Sequence, residues 1–108
     1  MNLGEAESLI VRALEVKPGN AYILDSLGWV YFRQGKNEKA LEALEKAAGS
    51  TKDDPVVFEH LGDVYNALHQ PAKAAEAWKK ALGQHEKEEG LKERVEQKLR
   101  GLDLQLKQ

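Results

Sequence analysis

The 108-residue chain has no cysteine, so it can build neither a disulfide framework nor a thiolate zinc site. No apolar run approaches the roughly 20 residues that a membrane-crossing helix needs. The opening Met1-Asn2-Leu3-Gly4-Glu5 has neither the basic start nor the apolar stretch of a secretory leader. Charge of one sign is also missing. Sixteen Lys and Arg against eighteen Asp and Glu leave a formal net charge of −2, which gives no bulk attraction to nucleic acid or anionic lipid. Catalytic signatures are absent as well. His60, His69 and His85 form no His-x-x-x-His pair, and there is no Gly-rich phosphate loop, nucleophile elbow or paired-carboxylate motif. The expectation is a helical domain that is not an enzyme, carries no cofactor or metal, inserts in no membrane and binds no nucleic acid.

What the chain does have is a period. Leu27-Gly28 recurs as Leu61-Gly62, Val30-Tyr31 as Val64-Tyr65, Lys39-Ala40 as Lys73-Ala74, Glu42-Ala43 as Glu76-Ala77, and Lys46-Ala47 as Lys80-Ala81. Without a gap, 21–54 and 55–88 share 11 identities in 34 positions, where ordinary residue frequencies give about two. The same shift backwards sets Ala6 and Ala13 under Ala40 and Ala47. Within each period the apolar residues lie three or four apart, as in Leu24, Leu27, Val30, Tyr31 and again in Ala40, Leu44, Ala47, which is helical spacing. Gly35-Lys36-Asn37 and His69-Gln70-Pro71 interrupt it. Pro71 suits a first helical position, and Asp54 is placed to cap a helix opening at Pro55. Gly49 and Gly83 are expected to end the second helix of each pair in a left-handed conformation. The bare backbone at Gly28 and Gly62 lets a neighbouring helix approach, with Ala40, Ala47, Ala74 and Ala81 as flat partners and Tyr31, Tyr65, Leu44 and Trp78 filling the gaps.

These residues resemble the tetratricopeptide repeat, a helix–turn–helix unit with a bulky residue, Leu-Gly, Tyr, Ala, a bulky residue, Ala and Pro at set places. One copy reads Leu24, Leu27-Gly28, Tyr31, Ala40, Leu44, Ala47, and the next Phe58, Leu61-Gly62, Tyr65, Ala74, Trp78, Ala81. The closing proline is replaced by Lys52 and Glu86. Ala6, Ile10, Ala13 and Pro18 resemble the second half of an earlier copy. The resemblance implies an all-α fold, a right-handed superhelix of antiparallel helix pairs with about two and a half repeats. It divides the chain into 1–20 as the second helix of an incomplete repeat, 21–54 and 55–88 as repeats, and 89–108 as a C-terminal capping helix, all one continuous domain. Leu91, Val95, Leu99 and Leu102 continue the inward stripe of a first helix, while Glu96 replaces the packing glycine. The acid-rich run His85-Glu86-Lys87-Glu88-Glu89 reads as a helix start. Because the chain begins mid-repeat, it is expected to be the C-terminal piece of a longer array, with an apolar edge around Leu3, Leu9 and Ile10 that favours a weak homodimer.

In such arrays the first helices line a concave groove. The resemblance implies that Tyr22, Asp25, Trp29, Phe32 and Arg33 point into it, followed by Val56, Glu59, Asp63, Asn66 and Ala67, with Ser26 and His60 at its edge. Trp29 and Phe32 sit off the packing stripe yet are large and apolar, and acids and an arginine surround them. That combination is expected of an anchoring patch for a protein or peptide segment, basic or apolar in character. Family members that clasp the terminal carboxylate of chaperone tails use Lys, Asn and Arg; the matching sites here carry Asp25, Trp29, Ser26, Val56 and His60, so that clamp is absent. The competing expectation is a structural one, a terminal cap of a solenoid that mediates self-assembly. The wording Leu-Gly-Trp-Val-Tyr and Leu-Gly-Asp-Val-Tyr looks like bacterial repeat proteins, and the compartment, cytoplasm or periplasm, stays open.

Overall fold

The computed structural model describes residues 1–106. It contains six α-helices: α1 (Leu3–Val16), α2 (Ala21–Arg33), α3 (Asn37–Ser50), α4 (Pro55–Ala67), α5 (Pro71–Leu82) and α6 (Leu91–Leu106). A single 3-10 turn, His85–Lys87, precedes α6, and no strand occurs among the described residues. The chain forms two compact units, Met1–Lys52 with α1 to α3 and a second that begins at Asp53 with α4 to α6.

The helix starts follow from short polar side chains that satisfy otherwise orphaned amide groups. The Asn2 carboxamide oxygen accepts from the Glu5 N–H at 2.8 Å, while its NH2 group donates to the Glu5 carboxylate at 2.8 Å. Asn20 accepts from the Ile23 N–H at 3.0 Å, and Asp54 accepts from the Val56 N–H at 3.0 Å. Pro55 and Pro71 occupy the opening positions of α4 and α5, where a missing N–H costs nothing.

The end of the second helix of each pair differs from the sequence expectation. Gly49 lies within α3 and Gly83 has φ −61, so neither is left-handed. The left-handed residues are Gly35 at φ 78, His69 at φ 60 and Gly90 at φ 80. Gly35 and His69 are one period apart and end α2 and α4 in the same way. The Lys36 N–H donates to the Tyr31 carbonyl at 2.9 Å and the Gly35 N–H to Phe32 at 3.0 Å; Gln70 and His69 repeat the pattern onto Tyr65 and Asn66 at 2.9 and 3.1 Å. This paired bonding satisfies the last carbonyls and reverses the chain only if the residue between them takes positive φ. The acid-rich run before α6 is also not its start: Gly90 intervenes, and α6 opens at Leu91.

In the first unit α2 buries Leu24, Leu27, Gly28 and Val30, and α3 buries Ala40, Ala43, Leu44 and Ala47. In the second, Phe58, Leu61, Gly62 and Val64 of α4 are buried, as are Ala74, Ala77, Trp78 and Ala81 of α5. Leu91, Val95 and Leu102 of α6 complete that core. Both glycines sit where no side chain fits. A β-carbon at Gly28 would lie 2.5 Å from Leu44 Cγ, and one at Gly62 would fall on the Trp78 indole edge. The indole cannot slide away freely, because its N–H donates to the Glu59 carbonyl and to the Asp63 carboxylate, each at 3.2 Å.

Two outcomes are expected from urea unfolding followed by circular dichroism. Gly62→Ala lowers stability by about 2 kcal/mol through overpacking, net of the gain of about 1 kcal/mol in helix propensity. Gly28→Ala is destabilising too, since the Leu44 side chain it meets is fully buried and has to shift at its Cγ. Neutral behaviour of both would contradict the close approach. Conversely, His69→Gly raises stability by about 1 kcal/mol by removing the left-handed penalty of a side-chain-bearing residue, and an unchanged midpoint would speak against strain there.

Candidate functional site

The candidate residues separate into two groups with different surroundings. On α2, Tyr22, Asp25, Trp29 and Phe32 recur at intervals of three and four, so they share one stripe, distinct from the buried Leu24–Leu27–Val30 stripe. Tyr22 is 75% exposed, Asp25, Trp29 and Phe32 are half-buried, and Arg33 at the end of the helix is exposed. The Trp29 and Phe32 rings lie 5.2 Å apart at an interplanar angle of 34°. Such tilted pairs are stabilised by the positive edge of one ring near the negative face of the other. The pair forms a single aromatic plate rather than two isolated side chains.

On α4 the same register holds acids, and they are already engaged. Glu59 is buried, with only 4% of its surface exposed. Arg94 of α6 grips it with a two-pronged contact, Nε to Oε2 at 2.9 Å and Nη2 to Oε1 at 2.8 Å. Lys98, one turn further along α6, donates to Glu59 Oε2 at 2.8 Å and to Asp63 Oδ2 at 3.0 Å. Asp63 accepts the Trp78 indole N–H as well. The sequence reading offers Glu59 and Asp63 to a ligand. In the structure both carboxylates hold cations of α6. His60 is half-buried and Asn66 exposed on α4.

Arg94 and Lys98 escaped the sequence reading, although their signal is visible in retrospect. Acids four apart on α4 and bases four apart on α6 match in spacing and oppose in charge. The electrostatics follow from the geometry. Burial pushes the Glu59 carboxyl up, but hydrogen bonds and charge from Arg94 and Lys98 outweigh it and bring the pKa down to about 2. For Asp63 burial prevails over the pull of Lys98, and its carboxyl lies above the ordinary aspartate value. Tyr31 in the first unit is also raised, by burial and then by the nearby Glu7 and Glu42 carboxylates.

These carboxylates predict opposite pH responses. Glu59 binds a proton more weakly folded than unfolded, so its stabilisation is complete above about 4.5 and drains away as pH falls towards about 2. Asp63 opposes this, because the folded state takes up its proton first on acidification. The stability difference between wild type and Glu59→Gln is therefore expected to be on the order of 3 kcal/mol at neutral pH and to close between pH 4.5 and 2. A difference that stays constant across that window in urea melts would show that the Arg94–Lys98 clasp leaves Glu59 unperturbed.

Among the described residues no group of three or more His, Asp or Glu side chains is arranged to hold a metal ion, and no helix is long and apolar enough to cross a membrane. With the geometry in view, comparison with known proteins gives a consistent result. A protein described as TPR repeat-containing from Pseudomonas aeruginosa is 42% identical over 60 residues, 56% of this chain and 10% of its own length. The chain thus spans a tenth or less of the curated relatives it matches. A thermophilic TPR protein of Thermus thermophilus superposes with a TM-score of 0.76 at 28% identity, covering 88% of this chain and 48% of that one. The first TPR of Spaghetti (RPAP3), solved bound to the HSP90 peptide SRMEEVD, superposes at 0.88 with 17% identity, over 98% of this chain and 83% of that one, a likeness of fold. A family model for the tetratricopeptide repeat-like domain matches residues 21–104, and the chain belongs to that family.

Proposed function

We propose that this chain is a protein-interaction module that anchors an apolar or basic peptide segment on the α2 stripe. The observation that carries the reading is the Trp29–Phe32 aromatic plate, half-buried and flanked by exposed Tyr22, with Asp25 in the same row. Aromatic rings supply large contact area with little rotamer entropy to lose, which is why they dominate the energetic centres of interfaces. Asp25 gives such a patch a preference for Lys, Arg or an amino terminus beside the apolar contact. The fold itself supports the class of activity, since a protein of like fold holds a peptide. The nature of that peptide does not carry over. The positions where a carboxylate-clasping repeat needs Lys, Asn and Arg hold Asp25, Ser26, Trp29, Val56 and His60, so an acidic C-terminal tail is not the ligand proposed. Glu59 and Asp63 take no part, being committed to Arg94 and Lys98.

A peptide library panned on the intact chain is expected to yield binders that place an aromatic or aliphatic residue next to Lys or Arg. Trp29→Ala and Phe32→Ala should each weaken those binders at least about tenfold, or 1.4 kcal/mol, with the urea midpoint little changed. If Trp29→Ala instead costs more than about 3 kcal/mol of folding stability, the indole is a packing residue. The second reading, a solenoid cap serving self-assembly, would then take its place.

A further inference from the structure

We propose that a cleft among α1, α2 and α3 binds a peptide in which a large apolar side chain stands beside an Asp or Glu carboxylate. The cleft measures about 370 Å³, within the roughly 300–1,000 Å³ of ligand pockets. Leu14, Pro18, Leu24 and Leu27 give it an apolar lining, with the Tyr31 ring beside them, and Lys39, Glu42 and Lys46 of α3 are its exposed rim. Trp29 and Phe32 are not part of it, so it is a second surface. The charges around it do not cancel. Lys46 holds Glu42 at 3.3 Å and Lys36 holds Glu7 at 3.8 Å. Lys39 makes no ion pair among the described residues, and its ammonium stands 5.8 Å from the centre of the Tyr31 ring. Lys39 is therefore the surplus cation, next to apolar surface. A carboxylate that pairs with it brings an adjoining apolar group onto Tyr31 and into the cleft.

The exposed rim selects the kind of occupant. Free small molecules are held by burying roughly 70–90% of their surface. A group seated between exposed lysines and a glutamate keeps much of its surface in water, which suits one anchoring side chain of a longer segment. The second unit repeats the arrangement on α4 and α5, helices with chain on both sides, so the cleft belongs to the helix pair. Lys39, Glu42 and Lys46 recur there as Lys73, Glu76 and Lys80, and Leu27 and Tyr31 as Leu61 and Tyr65. One difference matters. Phe58 replaces Leu24, the Lys80 ammonium lies 5.8 Å from the centre of its ring, and the space is only about 190 Å³. The larger ring and the lysine over it take up room that an anchoring side chain needs, so the site is assigned to the first unit.

The site is tested by titrating the intact, isotope-labelled chain with the capped peptide acetyl-Gly-Phe-Glu-Gly-amide and following amide resonances. Weak but saturable shifts are expected, concentrated at 14–18, 24–31 and 39–46. Exchanging the peptide's glutamate for glutamine, or its phenylalanine for alanine, should weaken binding at least about tenfold. So should replacing the peptide by 3-phenylpropionate, which has the ring and the carboxylate without the chain. Lys39→Glu, at an exposed position, should abolish the shifts while the circular dichroism spectrum and melting profile are kept. Leu24→Phe, which copies the second unit, should also weaken binding at least about tenfold with the helical spectrum unchanged. Lys73→Glu and Trp29→Ala should leave the shifts intact, which separates this cleft from its smaller counterpart and from the α2 patch. No saturable binding, undiminished binding to Lys39→Glu, equal binding of the glutamine peptide, or shifts elsewhere would overturn the assignment. Equal binding of 3-phenylpropionate would overturn the peptide as occupant in favour of a free carboxylate.

Discussion

The tightest constraint in this molecule is the contact between a glycine backbone on one helix and a bulky side chain on the next. Gly28 receives Leu44, and Gly62 receives Trp78, so closely that a single methyl group would have to displace them. A helix interior loses about 1 kcal/mol for each glycine in place of alanine. That loss is offset because the approach brings alanine surfaces into contact and leaves Ala40, Ala47, Ala74 and Ala81 with no exposed surface at all. Repeating the device after 34 residues explains why the two helix pairs share residue identities chiefly at packing positions, while the intervening surface varies.

That variation is where the two pairs differ. The same two positions on the first helix of each pair carry Asp25 and Trp29 in one case, and Glu59 and Asp63 in the other. The second set acts as a receptor for Arg94 and Lys98, fixing α6 through a guanidinium fork and an ammonium shared between two carboxylates. Burying a charged pair gives little net stability when its desolvation cost is counted, but removing one partner strands the other in a poor solvent. The cluster therefore acts above all as a selector of position: α6 seats where both acids are satisfied at once. Trp78 joins the steric and electrostatic devices, since the ring that fills the space over Gly62 also donates to Asp63.

Much of this was legible beforehand, for reasons that can be stated. The period, the helix pairs, the roles of Gly28 and Gly62, the core place of Trp78 and the cap at Asp54 all depend on residues acting within one turn or one repeat, and local pattern records such effects. The turn chemistry was harder to read. Glycine marks a left-handed residue statistically, yet α3 runs through Gly49, and its counterpart Gly83 stays right-handed. Meanwhile His69 takes positive φ because the bonds from His69 and Gln70 to Asn66 and Tyr65 require it.

By itself, then, the sequence determined the helical class, the repeat length, the faces that pack and the lack of metal-binding or nucleophilic motifs. These are properties of spacing and composition. Only the tertiary structure decided which charged residues are drawn into the chain's own packing. Glu59 and Asp25 look alike in the chain, and nothing local marks Glu59 as the more deeply buried of the two. The distinction arises because α6 returns with its bases in register 35 residues later and removes one acid from water. Likewise, the alanines of α1 and α3 are the same residues in the same phase, but only those of α3 are fully covered by another helix. Burial depends on what arrives from elsewhere in the chain, and a pattern within one segment carries no record of that.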